Sequence, residues 1–353
     1  MSSKNAVRAA PPKLWAVRRY QHVFLLLNAL VLGDVLLTRV HHARHAAFQL
    51  SGPLETGRSS CASRVTSAPF WQGKLKDWCS SDAPTLRDWI PCEQLQRVST
   101  DNNIILVQTN CGYLDFAMNL WRGYQSVGKN NVLFLAADCH TYAAMRTLVG
   151  ADRVAKPLSP PDSSLQQAQS FNTSTYRQFT MVRPKIMQYF IERGYNILWQ
   201  DVDSVPIQDP FQFLPPLLPH VDVVLTSDIK GSTNPKDTQM CSCFVYVMAD
   251  RPGSLWFLER WHHHTMQGEG LNQPALNAAL HDALNATEYG SSQFMHVILP
   301  DRFFPNGATL AKYESTAWWA HANWRVGKDA KLAFFREYGL WDADDITMKC
   351  SDR

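Results

Sequence analysis

The sequence lacks the features that identify several large classes of protein. Its eight cysteines include no Cys-x-x-Cys pair, which argues against a structural zinc site. The formal net charge is only +3, too small to predict a nucleic-acid partner. Internal repeats and long low-complexity runs are absent. What the 353 residues do contain is a hydrophobic fraction of 45%, so we expect the chain to fold around a substantial core.

Acidic residues are absent from the N-terminus as well, since Asp34 is the first one. Residues 1–22 carry several Lys and Arg side chains and are predicted to be a cytosolic tail. In the apolar segment 23–40, the Leu, Val and Phe residues favour membrane insertion by roughly 3–7 kcal/mol. That exceeds the roughly 2.5–3.5 kcal/mol that an Asp costs at a bilayer centre. Because no small-x-small cleavage site follows, the segment predicts a signal anchor, with a cleaved signal or transit peptide as the alternative.

Several features agree with residence in the lumen of the secretory pathway. Asn172-Thr173-Ser174 and Asn285-Ala286-Thr287 are acceptor triplets for N-glycosylation. Eight cysteines permit disulfides, although Cys241 and Cys243 lie only two positions apart, too close for an ordinary bridge to each other.

Residues 41–99 are rich in Ser, Pro, Arg and Cys and predict a luminal stem. Trp89 and the other tryptophans of this stem indicate that its later part packs onto the domain that follows. That domain is predicted over residues 100–345, with a short C-terminal tail at 346–353. Its strands are predicted at 104–107, 132–136, 196–200, 221–226, 244–248 and 297–299. Its helices are predicted near 114–121, 142–149, 179–190, 252–266 and 272–284. Strands that alternate with helices predict an α/β fold, a sheet covered by helices on both faces.

The sharpest local feature is Asp201-Val202-Asp203, directly after the apolar strand 196–200. If the strand continues through them, the two acids point to the same side. Two carboxylates so close repel each other, and a divalent cation such as Mn²⁺ or Mg²⁺ would relieve that repulsion. Such a cation can also bridge to a diphosphate.

A second enzyme class fits the same residues. In a haloacid-dehalogenase-like phosphohydrolase, one acid of the Asp201/Asp203 pair would be the nucleophile. That class also needs a downstream Lys and a second acid pair, each at a strand end. The only adjacent acid pair downstream is Asp344-Asp345, which has no predicted strand before it. This alternative stays open, as does a non-catalytic sugar-binding protein.

A series of motifs carries a specific resemblance. In chain order the motifs are TNCGYLDFAMNLW, VLFLAADCHTYAAM, GYNILWQDVDSVPIQDPFQFL, TSDIKGS, CSCFVYV, LNQPALNAAL, LPDRFFPNG and HANWRVGKDAKLAFFREYGLW. Together they resemble the nucleotide-diphospho-sugar transferase family that includes plant and algal cell-wall xylosyltransferases and arabinosyltransferases. The resemblance implies a GT-A type fold, a Rossmann-like mixed sheet flanked by helices in a single catalytic domain. It also implies retaining transfer from a UDP-sugar, in a type II protein of the Golgi membrane whose catalytic domain is luminal.

The resemblance further assigns roles to individual residues. Asp201, Asp203 and His321 would hold the metal ion, with Asp203 central to catalysis. The residues implied in donor binding are Thr109, Asn110, Tyr113, Asp138, Lys185, Lys328 and Lys331. Helix capping would equally explain Asn110 and Asp138, and a salt bridge would explain Lys185.

At one position the sequence departs from the family pattern. Related retaining transferases carry an Asp-Gln pair near the donor sugar, whereas this chain has Asn272-Gln273. Gln273 keeps the implied catalytic role, and Asp228 is the next acid to consider. The donor sugar is expected to be a pentose such as arabinose or xylose, with galactose as the alternative. The expected acceptor is a hydroxyproline-rich glycoprotein or a cell-wall polysaccharide.

Overall fold

The computed structural model describes residues 89–157, 173–214, 221–228, 239–268, 271–285 and 294–347. The predicted cytosolic tail, the signal anchor, most of the stem and both glycosylation triplets lie wholly or partly outside these residues. Among the described residues, no helix is long and apolar enough to cross a membrane.

The described strands form a central mixed sheet, as the alternating pattern predicts. Its spatial order is β3-β2-β1-β4-β7-β6-β8. The strand bounds are β1 Asn103–Thr109, β2 Val132–Ala136, β3 Val154–Ala155, β4 Asn196–Gln200, β6 Val223–Ser227, β7 Met240–Val247 and β8 His296–Leu299. β1 to β4 run parallel, β7 runs antiparallel to both β4 and β6, and β8 is parallel to β6. A short sheet pairs β5 Ser204–Pro206 with β9 Trp319–His321.

Helices surround the central sheet. Their bounds are α1 Cys92–Val98, α2 Leu114–Ser126, α3 Cys139–Val149, α4 Ser174–Met181, α5 Arg183–Ile191, α6 Pro252–Gln267, α7 Asn272–Asn285, α8 Leu310–Tyr313 and α9 Lys328–Glu337. Single 3₁₀ turns lie at Cys111–Tyr113, Ala151–Arg153 and Pro210–Gln212. The run Ile104 to Val107 is fully buried because β1 has parallel neighbours on both sides and is covered on both faces. The fold is therefore α/β with a sheet rich in parallel strands.

The packed domain begins before residue 100. Trp89 and the buried α1 residues Leu95 and Val98 belong to the main hydrophobic core. The Trp89 ring meets the Tyr189 ring edge-on at 5.5 Å, and its indole nitrogen donates to the Lys156 carbonyl at 2.7 Å. The last part of the predicted stem, from Trp89 onward, therefore packs onto the main core.

The single helical stripe predicted from Phe179 to Phe190 is two helices in the structure. α4 ends at Met181, and α5 begins at Arg183 with Pro184 in its first turn. Proline lacks an N–H and its ring clashes with the preceding turn, so a helix ends before it more readily than it continues through it. Arg183, the first residue of α5 after this break, contacts Asp201 beyond the end of β4.

The expectation that Cys241 and Cys243 cannot bridge each other is wrong. They form a disulfide, with their Cα atoms 5.1 Å apart. In a regular strand, residues two positions apart are separated by roughly 6.6 Å. The pairing of β6 with β7 shifts between Leu225 and Thr226, and this irregularity lies opposite the two cysteines. The local contraction of β7 brings the two Cα atoms closer than in a regular strand, well inside the ordinary Cα range for a disulfide.

The β5–β9 sheet joins segments more than one hundred positions apart in the chain. Ser204 is the register partner of His321, and the Ala322 amide donates to the Asp203 carbonyl at 3.0 Å. Gly307 lies close to the backbone of this segment. A Cβ atom at position 307 would lie 2.1 Å from the carbonyl oxygen of Asn323 and 2.9 Å from that of His321. Only glycine therefore fits there without moving the backbone.

Gly307→Ala is expected to lower the free energy of unfolding by about 3 kcal/mol, the upper end of the cost of overpacking. Gly128→Ala is the matched control, because position 128 has open space but a φ of +74°. It should cost only the roughly 1–2 kcal/mol of a left-handed residue. Urea denaturation of both variants measures the difference. Equal losses would show that the contact between Gly307 and Asn323 is not tight in solution.

Candidate active site

The turn after β4 is held by a buried hydrogen-bond network. The Tyr124 hydroxyl donates to the side-chain oxygen of Gln200, and the Gln200 amide donates to the Ser204 hydroxyl at 2.7 Å. Ser204 in turn donates to the Asp201 carbonyl at 2.5 Å. Because the strand ends at Gln200, the two acids lie in a turn and not on a continuing strand. The network fixes that turn. Although the acids do not lie on a strand, both side chains approach His321.

His321 lies at the end of β9. Its Nε2 atom lies 3.4 Å from an oxygen of Asp203 and 3.8 Å from an oxygen of Asp201. Only 3% of the His321 side chain is exposed. One ligand atom from each of the three residues fits within a 4.8 Å span. The structure thus brings together the three side chains that the sequence assigns to a metal ion.

Lys331 on α9 completes the group. Its ammonium contacts the second oxygen of Asp203 at 2.6 Å and lies 6.0 Å from the centre of the Tyr113 ring. Burial raises the pKa of Asp203, but the charge of Lys331 and the His321 ring lower it, and the net pKa is well below its ordinary value. Burial lowers the pKa of Lys331, whereas Asp203, Tyr113 and Asp201 raise it, and the net pKa is above its ordinary value. Asp203 and Lys331 are therefore both charged over the physiological pH range.

Arg183 also belongs to the site, although the sequence interpretation selected Lys185 from the same helix. A guanidinium nitrogen of Arg183 lies 2.8 Å from Asp201, and another donates to the Ser242 carbonyl at 3.1 Å. The guanidinium also lies over the Trp199 ring at 5.2 Å. Lys185 instead donates to Gln188 on its own helix at 2.8 Å. Pro184, which marks the start of α5, is the sequence signal that could have identified the inward-facing residue.

A second hydrogen-bond network contains Gln273 and Asp228. The Gln273 amide donates to one oxygen of Asp228 at 2.8 Å, and its own oxygen accepts from the Ser242 amide at 3.3 Å. The other Asp228 oxygen accepts from Asn323 at 2.7 Å and from the Trp324 indole at 3.2 Å. Through Ser242 and Arg183, this network is continuous with Asp201.

Of the remaining predicted donor residues, three lie after β1 and two make local contacts. Thr109 and Asn110 are buried at the carboxyl end of β1, and half-buried Tyr113 lies one turn further on, beside Lys331. Asp138 caps α3, since it accepts from the Thr141 amide at 2.9 Å. Lys328 pairs with Asp115 at 2.8 Å.

The acid pair Asp344-Asp345 lies in surface ion pairs. Asp345 contacts Arg122 at 2.7 Å, and Asp344 contacts Arg336. Neither acid contributes to the group around Asp203. The phosphohydrolase alternative would require a second acid pair in that group.

The described geometry agrees with what comparison with known proteins finds. The family model "Nucleotide-diphospho-sugar transferase" matches residues 128–335, more than half of the chain. The chain belongs to the nucleotide-diphospho-sugar transferase family. It is a glycosyltransferase, as the motifs predict, of a family whose donors are nucleotide-diphospho-sugars.

Curated relatives in this family are named for sugar transfer. A UDP-D-xylose:L-fucose alpha-1,3-D-xylosyltransferase of Arabidopsis thaliana is 26% identical over 311 residues, which is 80% of each chain. The beta-arabinofuranosyltransferase RAY1 of the same plant is 24% identical and aligns with 83% of this chain and 57% of its own. A UDP-galactose:fucoside alpha-3-galactosyltransferase of Dictyostelium discoideum is 22% identical, over 69% of this chain and 44% of its own.

Solved glycosyltransferases resemble the chain more distantly. The galactosyltransferase LgtC, in complex with donor and acceptor sugar analogs, is 13% identical with a TM-score of 0.41. That match covers 68% of this chain and 96% of LgtC. Apo mouse xyloside xylosyltransferase 1 is 10% identical with a TM-score of 0.38, covering 64% of this chain and 99% of its own.

For this glycosyltransferase, Arg183→Met is expected to lower kcat/KM for UDP-sugar hydrolysis roughly 10- to 100-fold, the usual effect of removing a group that orients a functional side chain. Methionine keeps apolar contact with Trp199 while removing the charge beside Asp201. Lys185→Met, two positions along the helix, is the matched control and should leave kcat/KM within about twofold. Thermal melting checks that both variants fold. A larger loss of kcat/KM in Lys185→Met than in Arg183→Met would instead favour Lys185 as the donor-binding residue.

Proposed function

We propose that the chain is a metal-dependent, retaining glycosyltransferase with a GT-A type fold that moves a sugar from a UDP-sugar to a glycan acceptor. The observation that carries this proposal is the convergence of Asp201, Asp203 and His321 beyond the carboxyl end of β4. In open α/β sheets, ligands bind at that edge. The ammonium of Lys331 lies beside the same group.

The residues present fit a hard divalent cation. Two carboxylates and one imidazole offer ligand atoms within a 4.8 Å span, and this donor set suits Mn²⁺ or Mg²⁺. Cys241 and Cys243 lie close to His321 too, but their sulfurs are bonded to each other and do not compete as thiolate ligands. A cation held by Asp201, Asp203 and His321 would supply a Lewis acid to the diphosphate leaving group.

The chain's own side chains supply positioning and charge. Lys331 is placed to compensate negative charge on the diphosphate, and Arg183 holds Asp201 in the turn. Asp228 accepts hydrogen bonds from Gln273, Asn323 and Trp324, so its carboxylate is engaged and is a poor candidate for a nucleophile. We therefore favour front-face transfer, in which a diphosphate oxygen takes the acceptor's proton and Gln273 and Asp228 hold the sugar site in shape.

The names of the relatives narrow the choice of substrates. The donor is proposed to be a pentose nucleotide, UDP-xylose or UDP-arabinose, with UDP-galactose as the alternative. An L-fucose residue, a hydroxyproline-rich glycoprotein or a cell-wall polysaccharide is the proposed acceptor. The apolar segment 23–40 supports a single-pass type II protein of the Golgi membrane, with the domain in the lumen.

Incubation of the purified protein with Mn²⁺ and these three UDP-sugars tests the proposal. Transfer is measured with methyl L-fucoside and with a hydroxyproline peptide, and UDP release without acceptor measures donor hydrolysis. Proton NMR of the product should show the anomeric configuration of the donor. If no UDP-sugar is hydrolysed or transferred, with or without metal, the proposed function is wrong.

Asp203→Asn is expected to abolish metal-dependent turnover, because it removes the charge of a ligand while preserving side-chain volume. Chelation by EDTA should have the same effect on the unmodified protein, with recovery on addition of Mn²⁺. Asp115→Asn is the control, since it neutralises a carboxylate that also pairs with a Lys, Lys328, on the neighbouring surface. Electron paramagnetic resonance of Mn²⁺ reports binding directly. Undiminished Mn²⁺ binding by the Asp203→Asn variant would remove this residue from the metal site.

A further inference from the structure

Trp324 is an exposed side chain on an unusual backbone. It follows Asn323 in the turn after β9, and 61% of its surface is accessible. Its φ angle is +62°, in the left-handed region that a bulky residue rarely adopts. Strained residues of this kind persist where the surrounding structure holds them, and they cluster at ligand sites.

The surrounding contacts hold the turn from three sides. The Ala322 amide is bonded to the Asp203 carbonyl, and the Asn323 side chain accepts from the Gly307 amide at 2.5 Å. The same Asn323 side chain donates to Asp228 at 2.7 Å. The backbone at Trp324 is thus determined by the residues that build the active site, and not by packing of its own ring.

The indole ring is oriented by one hydrogen bond. Its N–H, the sole polar group of the side chain, donates to Asp228 at 3.2 Å. A tryptophan anchored through its edge keeps its ring faces available and loses little conformational entropy when it binds a ligand. Val326, 86% exposed two positions later, is aliphatic and carries no side-chain group that could donate such a bond.

The position of the ring relates it to the proposed transfer. Asp228 also binds Gln273, the residue implied beside the donor sugar, so a single carboxylate holds both Gln273 and Trp324. The C–H groups of a sugar ring carry partial positive charge and suit the negative face of an indole.

We propose that Trp324 is the platform on which a sugar ring of the acceptor stacks, and that the acceptor is therefore a glycoside. This inference rests on the proposed glycosyltransferase function and identifies its acceptor class. Asp228 acts as the positioning residue that holds the platform next to Gln273.

The test compares Trp324→Ala and Trp324→Phe with Val326→Ala in the full-length protein. Trp324→Ala should raise the KM for methyl glycosides about tenfold. It should also lower kcat/KM for transfer far more than kcat/KM for donor hydrolysis. Trp324→Phe keeps an aromatic face but loses the N–H that bonds Asp228, so it should recover part of the loss, and Val326→Ala should match the unmodified protein. An unchanged KM in Trp324→Ala, or equal losses in transfer and hydrolysis, would overturn the inference.

Saturation-transfer NMR with methyl glycosides gives a readout that does not depend on turnover. The unmodified protein should show transfer to the sugar-ring protons, and Trp324→Ala should lose it. Glycoside binding that depends on Trp324 without any UDP-sugar turnover would support the platform while rejecting the proposed function. An active enzyme that transfers sugar only to the hydroxyproline peptide would support the proposed function and overturn the inference about Trp324.

Discussion

The site depends on the pairing of β5 with β9. This two-stranded sheet places His321 opposite Ser204, so an imidazole from one end of the domain reaches the acids at the end of β4. The same connection delivers α9 and its Lys331 to Asp203. Each strand is only three residues long and has little stability of its own. The pairing is therefore supported by tertiary contacts, including the Gly307 backbone and the network of Tyr124, Gln200 and Ser204.

A second constraint links the acids to the sugar-facing side of the site. The contracted part of β7, closed by the Cys241–Cys243 disulfide, presents Ser242 between Arg183 and Gln273. Arg183 holds Asp201, and Gln273 holds Asp228. Because Asp201, Ser242 and Gln273 each have a partner supplied by another element, this part of the site is preorganised before a ligand enters. The departure Asn272-Gln273 leaves the glutamine in this network and does not disrupt it.

Sequence reasoning located the strongly patterned elements well and the short or irregular ones poorly. The bounds of β2 and β4 match their predictions because buried parallel strands read as continuous apolar runs. β7 begins four residues earlier than predicted, since Cys-Ser-Cys interrupts the apolar pattern where the strand is irregular. β3, β5 and β9 are too short to produce a periodic signal. The inward position of Arg183 depends on where α5 begins. Periodicity alone does not locate the start of a helix to within one or two residues.

The charge balance around Asp201 and Asp203 explains why the site contains basic side chains as well as acids. Two carboxylates, Asp201 and Asp203, each contact one cation, Arg183 and Lys331, so these four side chains sum to zero. A UDP-sugar carries about two negative charges on its diphosphate, and a divalent cation carries two positive ones, so donor and cation together leave that balance unchanged. Breakage of the glycosidic bond adds one further negative charge to the diphosphate. Lys331, already ionised and buried beside Asp203, is the cation placed to stabilise that developing charge, which a neutral residue at position 331 could not do.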